Sequence, residues 1–147
     1  MKKSPLIIAC LVITLIFGMM PTIPAKAASQ VQVYETYASG IQKIAKNKRI
    51  FEIQTSEPFQ TRLQGNDQYF PTEKTTIRMK LAKGCVYTKS GVTNFDDIST
   101  IDNFYEYSTY KETRDTINEC RTSGDWDFGV LIYVKGNRII RVDSRFS

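Results

Sequence analysis

"SQVQVYETYASGIQKIAKNK", Ser29 to Lys48, decides how the fold is read, because everything after it must pack on whatever it forms. Ser29 and Gln32 fit a capping box, the reciprocal pairing that satisfies the first orphan N–H groups of a helix. Tyr34, Tyr37, Ala38, Ile41, Ile44 and Ala45 then recur at the three-and-four spacing of one helical face. Glu35, Thr36, Gln42, Lys43 and Lys46 fall opposite. Lys46 and Lys48 suit the negative end of a helix dipole, with Asn47 as terminator. The spacing predicts an N-terminal helix.

Upstream, Lys2 and Lys3 precede an apolar run from Leu6 to Met20, and "AKA" (25–27) is a small-x-small cleavage signal. The run is shorter than the roughly 20 residues of a membrane span. Residues 1–27 therefore read as a cleaved secretory signal peptide and 28–147 as one domain. The protein is expected outside the cell, or in the periplasm of a bacterium with an outer membrane, and meets the membrane only during export. Without Lys2, Lys3 and Lys26 the chain keeps 17 basic and 15 acidic residues, a net +2. So small an excess argues against nucleic-acid binding. Cys10 leaves with the leader, and the remaining pair reads as a disulfide, Cys85–Cys120. Such a loop closure is worth about 3–4 kcal/mol.

Downstream, "RIFEIQT" and "FQTRLQ" read as strands split by Pro58, and "GNDQYFPTEK" as loop. "TTIRMKLA" alternates, with Ile77, Met79 and Leu81 on one face and Arg78 and Lys80 on the other. Lys83-Gly84 reads as a turn from which "CVYTK" returns as hairpin partner. "YKETRDTINECRTSG" is a second helix, capped by Thr109 and Glu112 and stopped by Gly124. Its inward stripe is Tyr110, Thr113, Ile117 and Cys120, which offers Cys120 to Cys85. "GVLIYVKGNRIIRVDSRF" (129–146) is a hairpin about Gly136-Asn137, with Gly first as a type II′ turn requires. Regular pairing sets Val134 against Ile139 and Tyr133 against Ile140. The strand at 130–134 is apolar on both faces and reads as central, covered by the N-terminal helix; the one carrying Arg141 and Asp143 reads as nearer an edge. The expected fold is α+β: an N-terminal helix on a curved antiparallel sheet of about four to six strands, then a second helix and the hairpin. A small closed barrel with a capping helix is the alternative.

The sequence contains no histidine. That removes the usual general base near neutrality, the commonest zinc ligand and the Ser-His and Cys-His dyads. No glycine loop has phosphate-cradling spacing, and "GNDQ" lacks that of a calcium loop. No metal or cofactor is expected. Asp96-Asp97 and Asp125-x-Asp127 are the tightest carboxylate pairs, and two carboxylates serve glycoside hydrolysis. Asp96 and Asp97 are adjacent, however, and point apart on an extended chain, whereas Asp125 and Asp127 flank Trp126 before a strand and fall on one face. A merely acidic loop accounts for that second pair equally, and Lys89-Ser90, neighbours on a turn, do not converge as a dyad. The chain reads as a non-enzyme.

Charge is unevenly spread: residues 96–127 hold nine acids and three bases, a net −6, leaving +8 for the rest of the mature part. Such a dipolar surface steers charged partners. Within the acidic stretch, "NFYEYSTY" (103–110) carries four aromatic rings. Tyrosine joins an apolar body to a hydrogen-bonding tip and is enriched at interfaces. The expected binding surface is Tyr105, Glu106, Tyr107, Tyr110, Asp125, Trp126 and Asp127. The expected function is a secreted inhibitor, immunity or toxin-associated module that recognises a protein. A glycan-binding or weakly hydrolytic role, with Tyr105, Tyr107 and Trp126 as stacking platforms, is the alternative. Self-association through an exposed edge strand is also open to such a segment.

Overall fold

The structure, a computed structural model, describes residues 30–90, 105–124 and 127–146; the side chains of Ser90, Tyr105 and Phe146 lie outside the description. The expected leader and the acidic loop with Asp96 and Asp97 also lie outside the described residues. The elements are β1 (Val31–Tyr37), a 3-10 turn (Ala38–Gly40), β2 (Ile41–Lys46), β3 (Ile50–Thr55), β4 (Gln60–Leu63) and β5 (Phe70–Pro71). After them come β6 (Thr76–Ser90), β7 (Tyr105–Ser108), α1 (Tyr110–Ser123), β8 (Phe128–Lys135) and β9 (Arg138–Phe146).

The expected N-terminal helix does not form. Residues 31–46 make two strands joined by a short 3-10 turn. Tyr34, Ala38 and Ile41 enter the core, at 3%, 0% and 2% exposure, at the very spacing that imitates a helix. The imitation arises because the 3-10 turn resets the phase between two strands of period two. Tyr37, which a helix would bury, is 44% exposed. The β-branched and aromatic content of "VQVYETY" favours extended chain, and β1 finds partners on both sides, β8 and β4.

The strands join in one sheet in the order β2-β3-β6-β9-β8-β1-β4-β5, with β7 attached to β6. It is mixed rather than antiparallel, because β6 and β9 run parallel. Among the described residues, nine strands and one α-helix replace the expected four to six strands and two helices. Lys83-Gly84 does not reverse the chain: β6 continues through it for 15 residues. Gly84 instead adopts φ +77° within an irregular stretch. There four residues of β6 (82–85) stand against a single residue of β9, between the pairs Leu81–Ile139 and Val86–Arg141.

β8 is central, as its two apolar faces predict, and buried from Phe128 to Val134. Its cover is α1, not a helix at the N-terminus: Ile117 and Cys120 join Phe128, Val130, Ile132 and Val134 in one core, with Phe51, Ile53, Phe59 and Ile77. On the opposite face, Val33, Leu131 and Tyr133 form a second cluster, against which Ile140 packs.

β9 is an interior strand, lying between β6 and β8, rather than one near an edge. The hairpin begins as expected, with Gly136 at φ +61°, no positive φ at Asn137, and Val134 opposite Ile139. The register then slips, and Arg141 rather than Ile140 faces Tyr133. Regular alternation from Ile139 would carry Arg141 and Asp143 into the helix-side core. One extra residue at Ile140 turns them outward and lets Val142 join Ile132 in that core.

Helix α1 matches its sequence signals. Glu112 N donates to Thr109 Oγ1 at 3.2 Å, and Thr109 N donates to Glu112 Oε2 at 2.8 Å. Gly124, at φ 74°, ends the helix. The Thr109 backbone bond is the main reason why the Glu112 carboxyl is held below the usual carboxylate range. Replacing Thr109 by alanine is expected to cost about 1 kcal/mol, the usual worth of an N-cap, in urea denaturation at neutral pH. The Glu112 half of the box depends on a carboxylate whose folded pKa is depressed. Its contribution is present above the unfolded value and lost as pH falls through the folded one.

Candidate functional site

The residues expected to form one binding surface separate. β7 pairs with the end of β6, setting Tyr107 opposite Thr88 and Glu106 opposite Lys89. Thr88 directs its hydroxyl to Asp143, on the face away from the helix, so Tyr107 stands on that face, where it is 83% exposed. Glu106 is exposed, and so is Asp127 at the entrance to β8. Tyr105 belongs to β7 by its backbone. Asp125 and Trp126 lie outside the described residues.

Tyr110 goes to the other face. As the first residue of α1 it packs edge-on against Phe51, with centroids 6.1 Å apart, and lies 5.9 Å from the Tyr87 ring. The Lys46 ammonium sits 5.1 Å from the Tyr110 centroid and 5.6 Å from that of Tyr87, within reach of both π faces. Burial raises the pKa of both phenols, so they stay protonated at neutral pH.

Cys85 and Cys120 are not joined by a disulfide. Cys120 does face the core, as its helical stripe predicts. Cys85 belongs with Lys46 and Tyr87, at the end of α1 where Tyr110 lies. Cys120 is ten residues further on, about 15 Å along the axis, and its neighbour Arg121 donates to the Ile41 and Gln42 carbonyls at the other end of β2. A bridge needs Cα atoms within about 7 Å. Burial pushes the Cys85 thiol up, although Lys46 and Tyr87 pull it down.

The concavity that the sequence did not reveal lies beside that thiol. β3 pairs with β6 as far as Lys80, and β7 joins the same flank only from Tyr87. Between them that flank of β6 has no strand partner among the described residues. The gap opens a cavity of about 600 Å³ lined by Leu81, Ala82, Gly84, Cys85 and Tyr87 together with Lys46, Lys48, Arg49, Lys83 and Arg138. Five of these side chains are cationic, and no carboxylate lines the cavity among the described residues.

The β2–β3 turn that supplies Lys48 and Arg49 is held in place. Asn47, expected to end a helix, accepts the Ile50 N–H at 3.0 Å and the Arg49 N–H at 3.4 Å on its side-chain oxygen. Leu81 N donates to Arg49 O at 2.7 Å and ties the turn to β6. Only Lys46 to Arg49 could have been grouped from sequence, by the density of cations there. Lys83 and Arg138 join them through strand pairing across more than thirty residues.

Comparison with models of protein families, with curated proteins and with solved structures finds no match. The functional reading therefore rests on geometry.

On the face away from the helix, the buried charges are paired. Arg145 donates to Glu35 at 2.7 Å. Thr88 Oγ1 donates to Asp143 Oδ1 at 3.0 Å, Arg141 Nε donates to Thr88 Oγ1 at 3.0 Å, and Arg141 is 3.3 Å from Asp143 Oδ2. Such pairing holds the sheet together and ties up both acids. No helix among the described residues is long and apolar enough to cross a membrane, and no metal-ligand cluster occurs among them.

Proposed function

We propose that this chain is an exported, non-enzymatic binding module that recognises a protein partner along the outer edge of β7. The observation that carries the reading is Tyr107, a large aromatic side chain left 83% exposed on a strand paired with β6 alone among the described residues. An edge strand offers a row of N–H and C=O groups to a partner strand, and an exposed tyrosine beside it supplies contact area and a hydrogen-bonding tip. Glu106 sets the electrostatic preference of that edge towards a basic partner. A chain without histidine, whose buried Glu35 and Asp143 are engaged with arginines, has few groups suited to moving protons near neutrality.

The test is recovery of partners from the medium in which the producing cells grow, with Tyr107→Ala compared against the unaltered protein. Tyr107 is exposed, so the substitution should leave the melting temperature unchanged. As a central aromatic contact it should weaken recovery by about tenfold or more. Equal recovery by both proteins would reject β7 as the recognition edge.

A further inference from the structure

We infer that the cationic cavity beside β6 is a binding site for a compact, multiply phosphorylated molecule. It is separate from the β7 edge, and neither reading depends on the other. Lys46, Lys48, Arg49, Lys83 and Arg138 surround one space, and no described acid among the lining residues neutralises them. Among the described residues, Lys48, Arg49 and Lys83 make no ion pair, whereas Lys43, Arg78, Lys111, Arg114 and Arg145 each have a carboxylate partner within 4 Å. Like charges gathered around a concavity repel one another and raise the local concentration of anions.

Size and chemistry narrow the ligand. About 600 Å³ lies within the range of small-molecule sites. A ligand of that volume answers several cations at once only if its charge is dense. Phosphates carry more charge per atom than carboxylates, and the guanidinium forks of Arg49 and Arg138 match their oxygens in pairs. Leu81, Ala82 and Tyr87 provide a less polar wall for the body that carries the phosphates.

The site is built before a ligand arrives. The Asn47 turn and the Leu81–Arg49 bond hold Lys48 and Arg49 at the rim. Arg138 Nη1 donates to Leu81 O at 3.4 Å. Lys46 is steadied over the rings of Tyr87 and Tyr110. This preorganisation lowers the ordering cost of binding.

Titration calorimetry of the purified protein with sodium tripolyphosphate at 0.15 M salt tests the assignment. One saturable site is expected. Lys48→Gln/Lys83→Gln should weaken it at least tenfold with an unchanged melting temperature. The control pair Lys111→Gln/Lys135→Gln removes the same charge elsewhere and should change affinity by less than twofold. Citrate, a compact tricarboxylate, should bind at least tenfold more weakly than tripolyphosphate. Absence of saturable binding would overturn the site, and equal weakening by both pairs would show a diffuse field instead. Citrate binding as tightly as tripolyphosphate would overturn the choice of phosphate.

Discussion

Phe51→Ala is expected to cost about 3–5 kcal/mol, the usual range for removing a fully enclosed aromatic ring. Phe51 has no exposed surface, and its ring meets those of Tyr87 at 6.5 Å and Tyr110 at 6.1 Å. The loss is large against the 5–15 kcal/mol total of an ordinary domain, and should lower the melting temperature by more than about 10 °C. Phe70→Ala is the control, since Phe70 is 48% exposed on the short strand β5; its cost should stay below about 1 kcal/mol. Urea denaturation of both variants checks the difference. Similar costs for the two would mean that the rings of Phe51, Tyr87 and Tyr110 do not form the packed unit described.

Arg141→Met is expected to cost about 3–5 kcal/mol at neutral pH, because it removes the nearest cation from a buried carboxylate. Asp143 is 2% exposed, and Arg141 approaches it both directly and through Thr88. Burial already pushes the Asp143 carboxyl above the usual range, against the pull of Arg141, Thr88 and Arg145. An acid whose folded pKa lies above its unfolded one contributes stability fully below the unfolded value. That contribution is lost as pH rises through the folded value. Removing Arg141 lifts the folded value further. The deficit of the variant should therefore be greatest near neutrality and shrink as the pH approaches about 4. Arg141→Met/Asp143→Leu should recover much of the loss, since it removes the stranded charge itself. A deficit independent of pH, with no recovery in the double variant, would point to lost packing over Tyr133 instead.

Local chemistry was legible wherever one segment decided the outcome. The Thr109–Glu112 box and Gly124 bound α1 where the sequence places them, and the apolar run of β8 lies in the middle of the sheet. Ile77 is buried while Arg78 and Lys80 stay outside, as alternation requires. What failed was phase. Tyr34, Ala38 and Ile41 satisfy a helical period because a 3-10 turn interrupts two strands, and single-segment periodicity does not separate those cases. Lys83-Gly84 carries the chemistry of a turn and serves as an irregularity inside a continuous strand. Even the C-terminal hairpin was right only for its first pair, since the shift at Ile140 answers to the core opposite rather than to the turn. The candidate site was less legible still. Tyr107 could be singled out as a surface aromatic, but Tyr110, three residues on, crosses to the other face. The cationic cavity draws on β2, the turn that follows it, β6 and β9.

The parallel pairing of β6 with β9 also constrains how the molecule assembles. Its two middle strands, β8 and β9, are the last in the described chain, and they separate β6 from β1. Residues 30–90 alone would make two disconnected pieces of sheet, β2-β3-β6 and β1-β4-β5. Neither fragment can close its core until residues 128–146 arrive between them. Acquisition of the native state is thus a late, nearly all-at-once event dominated by contacts distant in sequence, a topology associated with slow folding. A polypeptide of this design stays pliable until residues 128–146 have emerged.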